Sequence, residues 1–298
     1  MKRLLGLDSD SAVTIFSAVT ISRSNSRETL SEIDLENYIS QAIWKFFDKH
    51  RAAAAERLNT SEMDLVLCDA RVVAIKIDGH QVLNPQGFAG REIQIVLGGT
   101  LMKRDDVRDG IQVFESGAVQ AYLLAKQEDK RSLVYVEVGD KRTIIFLVAP
   151  EYASYLDQFE WGRNDLVNLI ASDLEIPEEL AYAVYLKYAG GETSPKFARV
   201  LDKIFNSAFT GFVEGIANCL ENFDELFQGS VPPIYVKSFP FPEEIYRKKV
   251  GVGKMTAKIW GVPEVKLEDM VRDHIYGAYP ELNMLAKRRL KWLMPSSL

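Results

Sequence analysis

The spacing of apolar positions changes period repeatedly along the chain, and each change predicts an element. Residues 12–22 (AVTIFSAVTIS) are rich in β-branched side chains and predict a strand, followed by a polar loop over 23–29. Ser31 stands where a helix N-cap is expected. Leu35, Ile39, Ile43, Phe46 and Phe47 then recur at three- and four-residue intervals, so a helix is predicted to about Leu58. Residues 65–77 (LVLCDARVVAIKI) read as a long or bulged strand, and residues 92–97 (EIQIVL) as another.

The second half alternates in the same way. A helix is predicted over about 107–116, then two strands at 133–138 and 143–148 around Gly-Asp-Lys-Arg, a hairpin pattern. Asn164 and Asp165 are placed to cap a helix over 166–174. Pro177 opens the next one, since its missing N–H is unpaired in any first turn. Residues 201–227 predict a long helix, and residues 234–236 a short strand after Pro232-Pro233. Strand pairs interleaved with helices predict the α/β class, a mixed sheet with an inserted or appended α+β unit. No internal repeat is present.

Composition narrows the function classes more than it names one. The 298 residues carry 36 basic and 42 acidic side chains, a net charge of −6, with 47% hydrophobic and 26% charged residues. That is the mix of a globular chain of about two domains. The acidic balance argues against nucleic acid as a partner. Cys68 and Cys219 are isolated in sequence and are expected to be reduced thiols of a cytoplasmic protein. His50, His80 and His274 are equally scattered, so no metal site is expected. Neither a GxSxG nor an HExxH pattern occurs, and no apolar run approaches the roughly 20 residues of a membrane span. Gly251-Val252-Gly253-Lys254-Met255-Thr256 imitates the end of a phosphate-binding P-loop. Lys248 and Met255 stand where that motif requires glycine and Ser or Thr, so a flexible turn is expected instead.

The last stretch, 281–298, predicts a basic amphipathic helix. Leu282, Leu285, Ala286, Leu290, Trp292, Leu293 and Met294 fall on one arc, with Lys287, Arg288 and Lys291 opposite and Arg289 intruding on the apolar side. Two readings follow from this pattern. Lys287, Arg288, Lys291, Trp292 and Leu293 suit an interface with anionic lipid; the same arc equally suits a terminal helix packed on its own domain.

Residues 77–97 (IDGHQVLNPQGFAGREIQIVL) carry a more specific signal. A strand ends in a D-G turn and passes through N-P-x-G-x-x-G to the next strand; Gly79, Gly87 and Gly90 are expected to supply positive φ and Pro85 stiffness. This resembles the bacterial actin-like family of the cell-division protein FtsA, with the related pilus-assembly protein PilM as the nearest competing match. The likeness extends through VYVEVGDKRTIIFLV at 134–148, residues 162–188 and PPIYV at 232–236. It implies an actin-like ATPase fold with residues 1–104 as the inserted strand-helix-strand-strand domain. Residues 105–130 would be a remnant of the first subdomain, 131–280 the second domain and 281–298 the tail. It also implies that the first phosphate hairpin of the family is missing, the chain beginning inside the inserted domain.

The family holds ATP through glycine-rich loops, and here those loops are altered. The second hairpin, D-x-G-G-G-x-T in the family, reads Glu137-Val138-Gly139-Asp140-Lys141-Arg142-Thr143, so Glu137, Gly139 and Thr143 remain as a vestigial phosphate loop. The glycine pair opening the next helix reads Gly162-Arg163. The A-E-x-x-K stretch falls on Ala181-Tyr182-Ala183-Val184-Tyr185, and a later glycine pair on Lys237-Ser238. The resemblance therefore implies a scaffold without cofactor or catalytic residue, at the inner face of the cell membrane. Its partner would be a tubulin-like division protein, with self-association also in view. Two alternatives stand beside it: a PilM-like pilus or secretion scaffold, and an active ATPase that holds ATP with Mg at the residual site. The helix over 31–58 is a candidate contact surface, with Trp44 and Phe47 as the aromatics to watch.

Overall fold

In the computed structural model, residues 3–107, 111–127, 132–149, 151–223, 230–237, 249–262, 275, 277 and 279–293 are described. The chain is a mixed α/β protein that divides into two compact units. Unit 1 comprises Met1–Lys130, Val148–Ser154 and Val265–Leu298; unit 2 comprises Arg131–Leu147 and Tyr155–Glu264. These boundaries differ from those drawn on the sequence. Residues 105–130 and the tail both belong to unit 1: residues 111–115 pair with residues 3–7, Tyr122 stacks on Phe16, and the tail helix enters the hydrophobic core.

Unit 1 contains strands β1 (Arg3–Leu7), β2 (Val13–Ser22), β3 (Leu65–Ile77), β4 (His80–Gln81), β5 (Glu92–Lys103) and β6 (Ile111–Glu115). Its helices are α1 (Glu32–Arg57), α2 (Ser116–Gln127) and, from the far end of the sequence, Pro280–Leu293. Strands β2, β5, β3 and β4 are neighbours in that order, antiparallel throughout, while β1 and β6 form a parallel pair.

Helix α1 begins as its sequence predicts. The Ser31 hydroxyl accepts from the Asp34 amide at 3.2 Å, and the Asp34 carboxylate accepts from the Ser31 amide at 2.9 Å. The reciprocal box satisfies two otherwise orphaned donors, a cap that contributes about 1 kcal/mol. Hydrogen bonding from Ser31 also holds the Asp34 carboxyl below its usual value. Leu35, Ile39, Ile43 and Phe46 face inward onto β2, β3 and β5.

Strand β5 runs six residues past its predicted end. Gly98 and Gly99 sit inside the strand, where two rings need the space. A Cβ on Gly98 would lie 2.7 Å from the Phe16 ring, and one on Gly99 2.3 Å from the Phe46 ring. Phe16 stacks in turn on Tyr122 of α2, with ring centroids 4.0 Å apart. The D-G turn after β3 has positive φ at both Asp78 (48°) and Gly79 (83°), and Gly87 is also left-handed at 82°. Gly90 corrects the expectation, since it is not among the positive-φ residues. A side chain there would collide with Ile77, at 2.3 Å from its Cγ2.

The predicted helix over 107–116 is corrected as well. Residues 111–115 are strand β6, paired in register with β1 from Arg3↔Ile111 to Leu7↔Glu115, and the helix starts only at Ser116. The last carboxylate of that strand, Glu115, is fully buried. It pairs with Arg57 and accepts from the Thr14 amide at 2.8 Å, while its own amide donates to Thr14 Oγ1 at 2.7 Å.

Unit 2 contains β7 (Leu133–Val138), β10 (Ile234–Lys237), β11 (Lys249–Val252), β12 (Met255–Gly261) and most of β8 (Thr143–Ala149) and β9 (Tyr152–Phe159), whose residues 148–154 belong to unit 1. Neighbouring strands run in the order β11, β12, β10, β7, β8, β9. Strands β7, β10 and β12 are mutually parallel, and β11 is antiparallel to β12. Helices α3 (Arg163–Leu174), α4 (Glu178–Ala189) and α5 (Pro195–Glu221) pack on one face of this sheet. Their core is aromatic: Trp161 lies 4.6 Å from Phe212, and Tyr185 meets Phe205 edge-on at 5.8 Å. Helix α5 starts six residues before its predicted start, capped by Ser194, which accepts from the Phe197 amide; residues 224–227 of that prediction lie outside the described set.

Candidate functional site

The vestigial phosphate loop lies where β7 turns into β8, and the N-terminus of α3 rises directly beside it. In an anion-binding arrangement the first-turn amides of such a helix stay free to donate to phosphate oxygens. Here they are already used. The Arg163 amide donates to the Gly139 carbonyl at 3.0 Å, and the Asn164 amide to the Asp140 carbonyl at 2.8 Å. The Asp165 amide turns to the Gly162 carbonyl at 3.2 Å, and the Asp165 carboxylate accepts from the Gly162 amide at 2.7 Å. Asp165 thus serves the helix start from inside its first turn, and Asn164 makes no side-chain cap.

Glycine at 162 makes this closure possible. A Cβ there would stand 2.6 Å from the carbonyl carbon and oxygen of Asp140 and 2.7 Å from the Gly139 oxygen. The loop closes on itself too, with the Gly139 amide donating to the Arg142 carbonyl at 2.9 Å. Thr143 is fully buried, and its hydroxyl donates to the Trp161 carbonyl at 2.7 Å, fixing the segment that leads into α3. Gly139 and Thr143 therefore shape and anchor the loop.

Four charged residues of the site form two pairs. Glu137 on β7 lies beside Lys237 on β10, in register on adjacent parallel strands, with carboxylate and ammonium 4.0 Å apart. The Asp140 carboxylate sits 2.8 Å from the Arg163 guanidinium, which also lies 5.1 Å from the centroid of the Tyr182 ring. Lys237 and Arg163 occupy positions at which the sequence resemblance places glycine. Their partners Glu137 and Asp140 come from the phosphate loop. Sequence reasoning marked the four positions one by one; the strand register and the loop-to-helix approach pair them.

Of the two positions at which the resemblance places Glu and Lys, Tyr182 is half-buried and Tyr185 belongs to the core. Ala181 and Tyr185 of the altered A-E-x-x-K stretch are fully buried among the α3–α5 side chains. At this site the helix amides are thus occupied by loop carbonyls, and Asp140 sets a carboxylate beside them. Among the described residues, no group of three or more His, Cys, Asp or Glu is placed to hold a metal ion. Burial raises the pKa of the Cys68 thiol, and burial together with Asp157 pushes Cys219 up to about 12; both thiols are free and stay protonated at neutral pH.

The P-loop imitation proves to be a hairpin turn. Val252 and Met255 face each other across β11 and β12, with Gly253 left-handed at φ 55°, and a strand follows where a P-loop would open a helix.

Helix α6 (Pro280–Leu293) carries the tail. Leu282, Leu285, Ala286 and Leu290 from its apolar arc are buried in unit 1. Asn283, also buried, accepts from the Val72 amide at 2.8 Å and donates to the Val72 carbonyl at 3.4 Å, at the point where β3 shifts register. Arg288 and Arg289 both reach the Glu36 carboxylate, at 3.3 and 3.1 Å. Arg288 and Lys291 are exposed and Lys287 is half-buried. The side chains of Trp292 and Leu293, and all of Met294, lie outside the described residues. Among the described residues no helix is long and apolar enough to cross a membrane.

No family model matches the sequence, and no curated protein matches it. Solved structures similar to this chain include the PilM–PilN type IV pilus biogenesis complex, at 13% identity over 93% of this chain and 77% of that one, with a TM-score of 0.43. Another is the ethanolamine utilization protein EutJ from Carboxydothermus hydrogenoformans, at 15% identity over 59% of this chain and 56% of that one, TM-score 0.38. The archaeal actin homolog Ta0583 covers 96% of this chain and 99% of its own length, at 11% identity and TM-score 0.38. All are distant likenesses and carry no activity over to this chain.

Proposed function

We propose that this chain is a non-catalytic, actin-fold scaffold of the FtsA and PilM kind, which binds a protein partner and does not bind ATP. The observation that carries this reading is the consumption of the α3 first-turn amides by the Gly139 and Asp140 carbonyls. A site of this kind binds phosphate only by breaking those bonds and separating Asp140 from Arg163. The two ion pairs at the same positions, Glu137–Lys237 and Asp140–Arg163, support the same reading.

Partner binding is assigned to the outer face of α1. Phe47 belongs to the core, but Trp44 is 49% exposed at the middle of the helix. A half-exposed tryptophan is the residue type most enriched at binding hot spots. The partner classes are a tubulin-like division polymer or a peptide from a pilus or secretion component. Co-sedimentation with the polymer and titration with such a peptide separate the two, and Trp44→Ala is expected to weaken binding at least tenfold, about 1.4 kcal/mol. Unchanged affinity in that variant would remove α1 from the interface.

Contact with an anionic membrane, on this reading, rests on the charge of Arg288 and Lys291, since the apolar arc of α6 is used inside unit 1. Binding to anionic vesicles is then expected to vanish in high salt, as screened charge alone requires. Salt-resistant binding would show that α6 leaves its seat and inserts.

A further inference from the structure

We propose that α4 is a self-association surface through which two copies of this chain pair antiparallel about Ala183. The inward face of the helix is spent on the unit 2 core through Ala181 and Tyr185, which are both fully buried. The outward face carries Glu179, Leu180, Ala183, Leu186 and Lys187, and all five are exposed. Leu180 and Leu186 are 52% and 40% exposed, so neither contributes much to the core beneath.

The order of these residues mirrors itself. Moving outward from Ala183, three positions in either direction lead to leucine, and four positions lead to a charge, Glu179 toward the N-terminus and Lys187 toward the C-terminus. When a second copy of α4 crosses antiparallel at Ala183, Leu180 of each meets Leu186 of the other, and Glu179 of each meets Lys187 of the other. The small side chain falls at the crossing point, where two helix backbones approach most closely. A two-fold interface demands this self-complementarity, since each patch must serve as its own partner.

The surroundings extend the same complementarity. Exposed Asp173 and Glu175 precede α4 in the chain, and exposed Glu178 opens it. Exposed Lys196, Arg199 and Lys203 follow it in the first turns of α5, where Asp202 is bonded to Tyr188 in the last turn of α4. Antiparallel pairing sets the acidic end of one copy against the basic end of the other, and opposes the two helix dipoles favourably. Val200, 42% exposed among those basic residues, adds apolar area next to the leucines. A helix of 12 residues spans only about 18 Å, so the contact is at the small end of specific interfaces and pairing is expected at micromolar concentration. This surface is independent of the nucleotide loop and of the α1 contact.

Sedimentation equilibrium of the full chain, over roughly 1–200 μM at low salt, tests the pairing. The expected result is a monomer–dimer equilibrium that Leu186→Asp weakens at least tenfold, with circular dichroism unchanged because the position is exposed. Glu179→Lys alone is expected to weaken the dimer, and Glu179→Lys combined with Lys187→Glu to restore it. Ala183→Cys, lying on the two-fold axis, is expected to form a covalent dimer on mild oxidation. A chain that stays monomeric throughout overturns the proposal. So does a dimer that ignores Leu186→Asp, or one in which position 183 fails to cross-link.

Discussion

Glu137 and Lys237 stand in register on the parallel strands β7 and β10, carboxylate and ammonium 4.0 Å apart. An acid that the sequence resemblance assigns to a phosphate loop thus has a fixed cation where that family keeps glycine. The pair is partly solvated, with side-chain exposures of 28% and 43%, so its net worth to stability is small. A double-mutant cycle with Glu137→Gln and Lys237→Met, read by urea denaturation, is expected to give a coupling of about 0.2–1 kcal/mol. A coupling several times larger would mean that the pair organises the site.

Closure of the loop depends on Gly162. Gly162→Ala would place a methyl 2.6 Å from the Asp140 carbonyl, so the loop must retreat and the Arg163 and Asn164 amides lose their acceptors. The expected loss is about 1–3 kcal/mol in chemical denaturation, with faster hydrogen exchange at residues 163 and 164. Wild-type stability and exchange in this variant would show that the loop is held by something else.

In unit 1 the buried Glu115 relies on Arg57. Arg57→Met leaves a carboxylate without its countercharge in the interior and is expected to destabilise the chain by about 3–5 kcal/mol in urea or thermal melts. Replacing both by apolar residues should recover much of that loss. A loss under 1 kcal/mol for the single variant would mean that water reaches Glu115.

His50 predicts a pH dependence. It is buried in α1, its ring centroid 4.9 Å from that of Phe46, and burial followed by the charge of Lys49 lowers its pKa to about 4. The unfolded chain, with an ordinary value near 6.5, binds this proton first as pH falls. The stability associated with neutral His50 is therefore complete above about pH 6.5 and is lost as pH drops toward 4, up to about 3 kcal/mol in total. Thermal melts from pH 7 to 4 should show this slope, and His50→Phe should flatten it. An unchanged slope in the variant would assign the effect to carboxylates.

Much of the fold was legible in local pattern. The 3.6-residue period with Ser31 as the cap placed α1 to within one residue, and the D-G turn marked the end of β3. What escaped was decided by partners distant in sequence. Residues 111–115 look helical beside the helix that follows them, and only pairing with β1, over a hundred residues earlier, makes them a strand. The strand predicted over 92–97 stops short of Gly98 and Gly99, where Phe16 and Phe46 claim the space beside them. The same limit applied at the site. Glu137, Gly139 and Thr143 could be located through the family resemblance, which also exposed the substitutions at 163 and 237. Their pairing with Asp140 and Glu137 depends on strand register and on a helix start brought to the loop by Gly162. Likewise the amphipathic tail was plain in sequence, whereas Asn283 reaching the Val72 backbone from 211 positions away left no local trace.

The central claim is that the altered loop no longer receives nucleotide. Equilibrium binding of ATP with Mg to the full chain, by calorimetry or with a fluorescent analogue, addresses it most directly. The expected result is no saturable binding at physiological nucleotide concentration, in wild type and in Asp140→Gly alike, since the α3 amides remain bonded to backbone carbonyls. Saturable micromolar binding by the wild-type chain that Glu137→Ala or Thr143→Val abolishes would contradict the account.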